Sequence, residues 1–180
     1  MSSATEKAYA EAFFSLALEE ECEKEFLEDM QLIGEVLELY PSYCELLEAP
    51  DVGKKEKREL LLQAFKGSIK DSTCDFLCLL SEKGRLRGFS TIANYYRELY
   101  NKKNNLIEVT VTTAFPLDPD FRGRILNKVK SLVNKEVILC EKVDGSLIGG
   151  IIVDFDGSQI NVSVKKRLED LKLSMRSAVS

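Results

Sequence analysis

Histidine and tryptophan are both absent from this 180-residue chain. Losing histidine removes the commonest general base near neutral pH and the commonest metal ligand at once. Long apolar runs are missing too. No stretch approaches the roughly 18 residues that cross a bilayer. The opening M-S-S-A-T-E-K-A-Y-A has no apolar segment of the kind a signal peptide needs. The five cysteines, at 22, 44, 74, 78 and 140, are odd in number and match no disulfide framework, so a reducing compartment is expected. A net charge of -5 and a pI near 5.0 leave little positive charge to neutralise phosphates, which argues against a general nucleic-acid binder. Internal repeats and low-complexity segments are also absent. What remains is ordinary for a soluble globular protein, 44% apolar and 31% charged.

The charge is unevenly spread. Residues 6–48 carry 13 acids against Lys7 and Lys24 alone. Residues 1–105 hold 20 acids and 14 bases, whereas residues 106–180 hold 10 and 11. This shift, with N-K-K-N-N at 101–105 as a linker, predicts a helical domain over 1–105 and a second domain over 106–180.

The first domain reads as helix throughout. Tyr9, Ala12, Phe13, Leu16 and Ala17 recur at helical spacing, as do Phe26, Met30, Ile33, Leu37 and Tyr40. Pro41 ends that second helix or starts a short one reaching Leu47. A helix is expected over 54–65, stopped by Gly67, with Asp51 or a neighbour as its cap. Another covers 71–83. Its centre, C-D-F-L-C-L-L, is apolar nearly all round, so it is either central to a bundle or half covered by a partner. A turn between Gly84 and Gly88 leads to a last helix from Phe89 to Tyr100. Five or six short helices with short connections make a compact bundle.

After residue 105 the period changes. Ile107, Val109 and Val111 alternate with polar neighbours, as in a half-buried strand. Asp118-Pro119 sets up a helix running to about Asn134, with Ile125, Val129 and Leu132 inward. Further strands are expected at 137–143, 149–155 and 159–161, the last two joined by an Asp156-Gly157 turn. Ser163 can cap a final basic helix whose apolar stripe is Val164, Leu168, Leu171, Met175 and Ala178. The fold class is therefore α+β: a bundle of five or six helices followed by a smaller α/β domain with a short sheet and flanking helices.

Candidate chemistry is sparse. Cys74 and Cys78, four apart on a helix, have no second pair or histidine to complete a metal site, and read as small buried hydrophobes. Asp154-x-Asp156-Gly157 resembles a calcium loop without its closing glutamate, and a hairpin turn accounts for it. Gly145–Gly150 leads into an apolar strand rather than the helix of a phosphate loop. Arg85 and Arg87 offer charge for a phosphate, but a solvated turn explains them. The terminal helix lacks Trp or Phe, which favours packing on protein over a membrane surface. No catalytic residue, cofactor or metal site is expected, and no nucleotide binding.

Four stretches in order carry a family resemblance: A-Y-A-E-A-F-F (8–14), F-L-C-L-L-S-E-K-G-R-L (76–86), V-T-V-T-T-A-F-P-L (109–117), and V-D-G-S-L-I-G-G (143–150) with I-N-V-S-V-K-K-R-L-E-D-L (160–171). Together they resemble the delta subunits of bacterial F-type ATP synthases, called the oligomycin-sensitivity-conferring protein in mitochondria. Asn161 and Val162 depart from the family's usual Asp and Gly, and Gly145 from a frequent Pro.

The resemblance implies a non-enzymatic stator part at the cytoplasmic face of a bacterial membrane, within a membrane-bound hetero-oligomer. It joins the catalytic head to the peripheral stalk, so that the head resists rotor torque during proton-driven synthesis. It also implies that the N-terminal domain is a six-helix bundle, with a groove between the first and fifth helices that takes the N-terminal segment of an alpha subunit and Tyr9, Ala12, Phe13 and Leu79 at the contact. The C-terminal domain would take the ends of the b subunits near Gly149, Gly150, Arg167, Leu168 and Leu171. The competing reading is a helical adaptor of another multi-subunit complex.

Overall fold

Aromatic and aliphatic side chains at helical spacing organise the first hundred residues. The structure, a computed structural model, describes residues 4–49, 51–65, 67–133, 135–147, 149–155 and 158–161. The chain divides into two compact units, Met1–Tyr100 and Asn101–Ser180. Among the described residues, the fold is α+β, with seven α-helices and a four-stranded sheet. No helix among them is long and apolar enough to cross a membrane.

Six helices come first: α1 (Ala4–Glu19), α2 (Glu23–Leu39), α3 (Pro41–Glu48), α4 (Lys54–Phe65), α5 (Asp71–Glu82) and α6 (Phe89–Lys103). Pro41 opens α3 from the first turn, where its missing N–H costs nothing. The α5 helix ends on Gly84, whose φ of +62° suits glycine. Gly84 N–H donates to Ser81 O (3.0 Å) and Arg85 N–H to Leu80 O (2.8 Å), the paired bonds of a Schellman ending. Gly67, with φ +78°, follows α4 in the same conformation. Gly53 rather than Asp51 starts α4, its carbonyl accepting from Lys57 N–H at 2.9 Å. The 101–105 stretch is a shorter linker than expected, because α6 stays helical through Lys103.

The core of this unit is built around Phe13. Its ring stacks on Phe76 (4.1 Å between centroids) and on Phe26 (4.7 Å), and tilts against Tyr96 (5.6 Å). Such ring pairs add about 0.5–1.5 kcal/mol each beyond the area they bury. The α5 helix is the central one: Cys74, Phe76, Leu77, Cys78 and Leu80 are all buried. Its apolar centre is thus covered chiefly by its own neighbours.

Polar groups inside this core are satisfied. Asp29 on α2 is buried and accepts from Lys70 N–H (3.0 Å) and Thr73 Oγ1–H (2.6 Å) at the start of α5. A carboxylate there satisfies orphan donors and meets the positive end of the helix dipole. Tyr96 donates to Glu23 O (3.1 Å), Tyr43 to Leu60 O (3.0 Å) and Ser81 to Leu47 O (3.2 Å).

The second unit contains β1 (Leu106–Thr113), α7 (Pro119–Val133), β2 (Glu136–Val143), β3 (Ile151–Phe155) and β4 (Ser158–Asn161), in sheet order β2-β1-β3-β4. The β1 and β2 strands are parallel, with α7 as their crossover; the other pairs are antiparallel. Register puts Val109 beside Leu139 and Phe155, Val111 beside Val153, and Val153 beside Ile160. These residues share one face, and α7 packs on it through Ile125 and Val129. The opposite face carries Glu108, Thr110 and Thr112, the alternation of a one-sided sheet. Asp118 O accepts from Arg122 N–H (2.9 Å), so Asp118-Pro119 does open α7. β3 begins at Ile151 rather than Gly149, because Gly150 has a φ of +92°, outside the extended region. Phe155 pairs with Ser158, which leaves two residues for the turn. The Asp156-Gly157 turn itself, the Leu132 side chain and the helix expected after Ser163 lie outside the described residues.

Candidate partner-binding surfaces

The first candidate surface lies on α1 and α5. The two helices run antiparallel. Ser72 Oγ, at the start of α5, donates to the Glu20 carboxylate just past α1 (2.8 Å), while Phe13 and Phe76 meet further along. That register sets Tyr9 at the level of Leu79 and Leu80. The buried stripe of α1 is Ala10, Phe13 and Ala17. Ala12 and Leu16 are exposed, and Tyr9 is half-buried. On α5, Leu79 is 42% exposed although Cys78 and Leu80 on either side are buried. Tyr9, Ala12 and Leu79 are therefore available to a partner. Phe13 is not: it is 2% exposed and enclosed by three rings. Its expected place at the contact is corrected to the core, because α1 turns its 10–13–17 edge inward. Leu16, at 36% exposure, takes its place on the open face.

The second candidate surface lies around the Gly149-Gly150 pair. Gly149 is half-buried and Gly150 exposed. They border a shallow pocket of about 250 Å³ whose other walls include Phe115, Leu117 and Phe121. Phe115 is 76% exposed, a large apolar side chain left in water. Sequence periodicity passes over it, since it sits in the turn between β1 and α7. An aromatic in a loop immediately before Pro116 was the available signal. Arg167, Leu168 and Leu171 lie outside the described residues.

The weaker candidates resolve as structural. Burial pushes the Cys78 thiol up to about 11 and raises that of Cys74, so both stay protonated at neutral pH. The Gly145 turn uses its own donors: Ser146 N–H bonds the Asp144 carboxylate (2.9 Å) and Leu147 N–H the Asp144 carbonyl (3.1 Å). A carboxylate thus sits where an anion would be cradled. Arg87 is paired with Glu48 at 2.6 Å.

The family model for the ATP synthase delta (OSCP) subunit matches residues 5–175. ATP synthase subunit delta of Clostridium kluyveri is 29% identical over 170 residues, covering 94% of each chain. That of Clostridium botulinum strain Langeland is also 29% identical, over 94% of this chain and 95% of its own. A chain of the Toxoplasma gondii mitochondrial ATP synthase hexamer superposes with a TM-score of 0.73 at 19% identity, covering 96% of this chain and 98% of that one, a likeness of fold. A match across nearly the whole length, on an α+β fold with two apolar surfaces, places this chain in the ATP synthase delta (OSCP) subunit family, the non-catalytic stator components of the F-type ATP synthase.

Proposed function

We propose that this chain joins the catalytic head to the peripheral stalk through its two units. The six N-terminal helices act as one bundle over residues 1–105, and their α1–α5 face takes the N-terminal segment of an alpha subunit as an amphipathic helix. The observation that carries this is Leu79, exposed between two buried neighbours on the most deeply buried helix of the unit. Tyr9, Ala12 and Leu16 supply the α1 side.

The unit over residues 106–180 takes the ends of the b subunits. Gly149, Gly150, Arg167, Leu168 and Leu171 are assigned to this contact, and the exposed Phe115 beside the glycine pair joins them. The protein sits peripherally at the cytoplasmic face of a bacterial membrane.

A stator has no reaction to accelerate. It must resist torque without dissociating, which calls for apolar anchors and a low off-rate. The acidic 6–48 region adds steering and orientation for a cationic partner more than affinity. Calorimetric titration of the full chain with a synthetic alpha N-terminal segment from the same organism tests the upper contact. One-to-one binding that Leu79→Glu weakens roughly 30-fold or more supports it. Binding unaffected by Leu79→Glu removes this face from the contact.

A further inference from the structure

The turn between α1 and α2 meets the start of α5 through a cysteine and a lysine. Lys70 Nζ donates to Cys22 Sγ at 2.8 Å, across 48 residues of sequence. That is an ordinary length for a bond to oxygen and a short one to sulfur, the larger atom. Both backbones are pinned. On one side, α1 ends on Glu21, a non-glycine residue at φ +54°, and Cys22 N–H returns to Ala17 O (3.0 Å). On the other, Lys70 N–H donates to the buried Asp29 carboxylate (3.0 Å), and Lys70 O accepts from Cys74 N–H in the first turn of α5 (2.9 Å). The two side chains therefore meet because fixed segments present them to each other. Both residues are half-buried, so a small solute can reach them. The other cysteines of the helical unit differ. Burial raises the thiols of Cys44, Cys74 and Cys78, which keeps them protonated and unreactive.

We propose that Cys22 and Lys70 are a redox-responsive pair that hydrogen peroxide joins covalently. The Cys22 sulfur attacks a peroxide oxygen. An S–O bond forms as the O–O bond breaks, sulfur is oxidised to the sulfenic acid, and the other peroxide oxygen leaves as water with the thiol's proton. The neutral Lys70 amine then attacks that sulfur. An S–N bond forms, and the hydroxyl leaves as a second water with a proton from the amine. One thiol, one amine and one peroxide thus give one sulfenamide and two waters, with no further oxidant. The hydrogen bond to Cys22 is the chief cause that raises the Lys70 amine above its ordinary pKa. Oxidation of the sulfur replaces that acceptor, so the amine yields its proton at the step that needs it. A free thiol reverses the link. It attacks the sulfur, the S–N bond breaks, the amine leaves with the thiol's proton, and a second thiol reduces the mixed disulfide. The bridge ties the end of α1 to the start of α5, beside the Glu20–Ser72 hydrogen bond. It therefore fixes the spacing of the two helices that carry Tyr9, Ala12 and Leu79.

Full-length chain, treated with hydrogen peroxide and then digested, tests this by mass spectrometry. No partner is present, so the result does not depend on the stator reading. A linked pair of peptides holding Cys22 and Lys70, lighter than the separate pair by two hydrogen atoms, is expected, and dithiothreitol should release it. The urea midpoint of the chain should rise on oxidation and return with the thiol. Lys70→Arg keeps the cation beside the sulfur and removes the nucleophilic amine. In that variant Cys22 should still oxidise, but the link and the rise in midpoint should both be lost. Cys22 oxidised to sulfinic acid, or to a disulfide between two chains, with Lys70 left free would overturn the proposal. A link that forms equally fast in urea-unfolded chain would also overturn it, because the folded geometry would then contribute nothing. So would a folded chain in which peroxide leaves Cys22 unchanged.

Discussion

The two units bury their apolar surface differently. In the helical unit eighteen described side chains are buried in one cluster, among them stacked aromatic rings. Among the described residues of the sheet unit, Ile107, Val109, Val111 and Val129 are buried in the corresponding cluster, with Val153 and Phe155 half-buried beside them. A helix bundle packs its core from several sides, whereas a sheet packs one face and, among the described residues, meets α7 there. Exposed apolar side chains of the first unit, such as Leu18, Leu39, Tyr40 and Leu62, are scattered over its outside, and Leu79 stands out among them by sitting on the helix most deeply buried in the unit.

Phe13→Ala tests that contrast most severely. It removes the ring between Phe26 and Phe76 and should cost about 3–5 kcal/mol, read from the urea midpoint. A loss below about 1 kcal/mol would mean the bundle does not depend on its aromatic centre. Leu79→Glu should separate surface from core. Stability should hold within about 0.5 kcal/mol, while affinity for the alpha segment falls by about 2 kcal/mol, roughly 30-fold.

Asp29→Ala leaves the Lys70 N–H and the Thr73 hydroxyl without their acceptor, at about 1–3 kcal/mol. Asp29→Asn should recover part of that, since an amide oxygen can still accept, and hydrogen exchange at the start of α5 would report it. The smallest effect is a pH dependence. The Cys78 thiol, raised by burial from 9.0 to about 11, ionises in the unfolded chain first. The unfolded state then binds fewer protons, so the contribution of this group is intact below pH 9 and is lost as pH rises toward 11. Cys78→Ala should flatten the fall in urea midpoint across that window.

Much of the fold could be read from local pattern. The 54–65 helix agrees to the residue with α4, and Pro41, Gly67, Gly84 and Asp118-Pro119 mark real boundaries because each acts through its own backbone geometry. The sites were less legible. The stripe Tyr9–Ala12–Phe13–Leu16–Ala17 is wider than the edge α1 can bury, and nothing local says which side α5 will cover. Placing Phe13 in the core required its contact with Phe76, 63 residues on. Asp29 gave no local signal either, because its partners are 41 and 44 residues away.

Periodicity, turn residues and the order of four family stretches were enough to establish the class, the element order and the stator family, since helix and strand formation are governed by neighbours within a few residues. The strand order β2-β1-β3-β4, the burial of Phe13 and the exposure of Leu79 and Phe115 depended on packing. Those features follow from which distant surfaces meet, and an apolar residue has the same character in the sequence whether its neighbour covers it or leaves it to a partner.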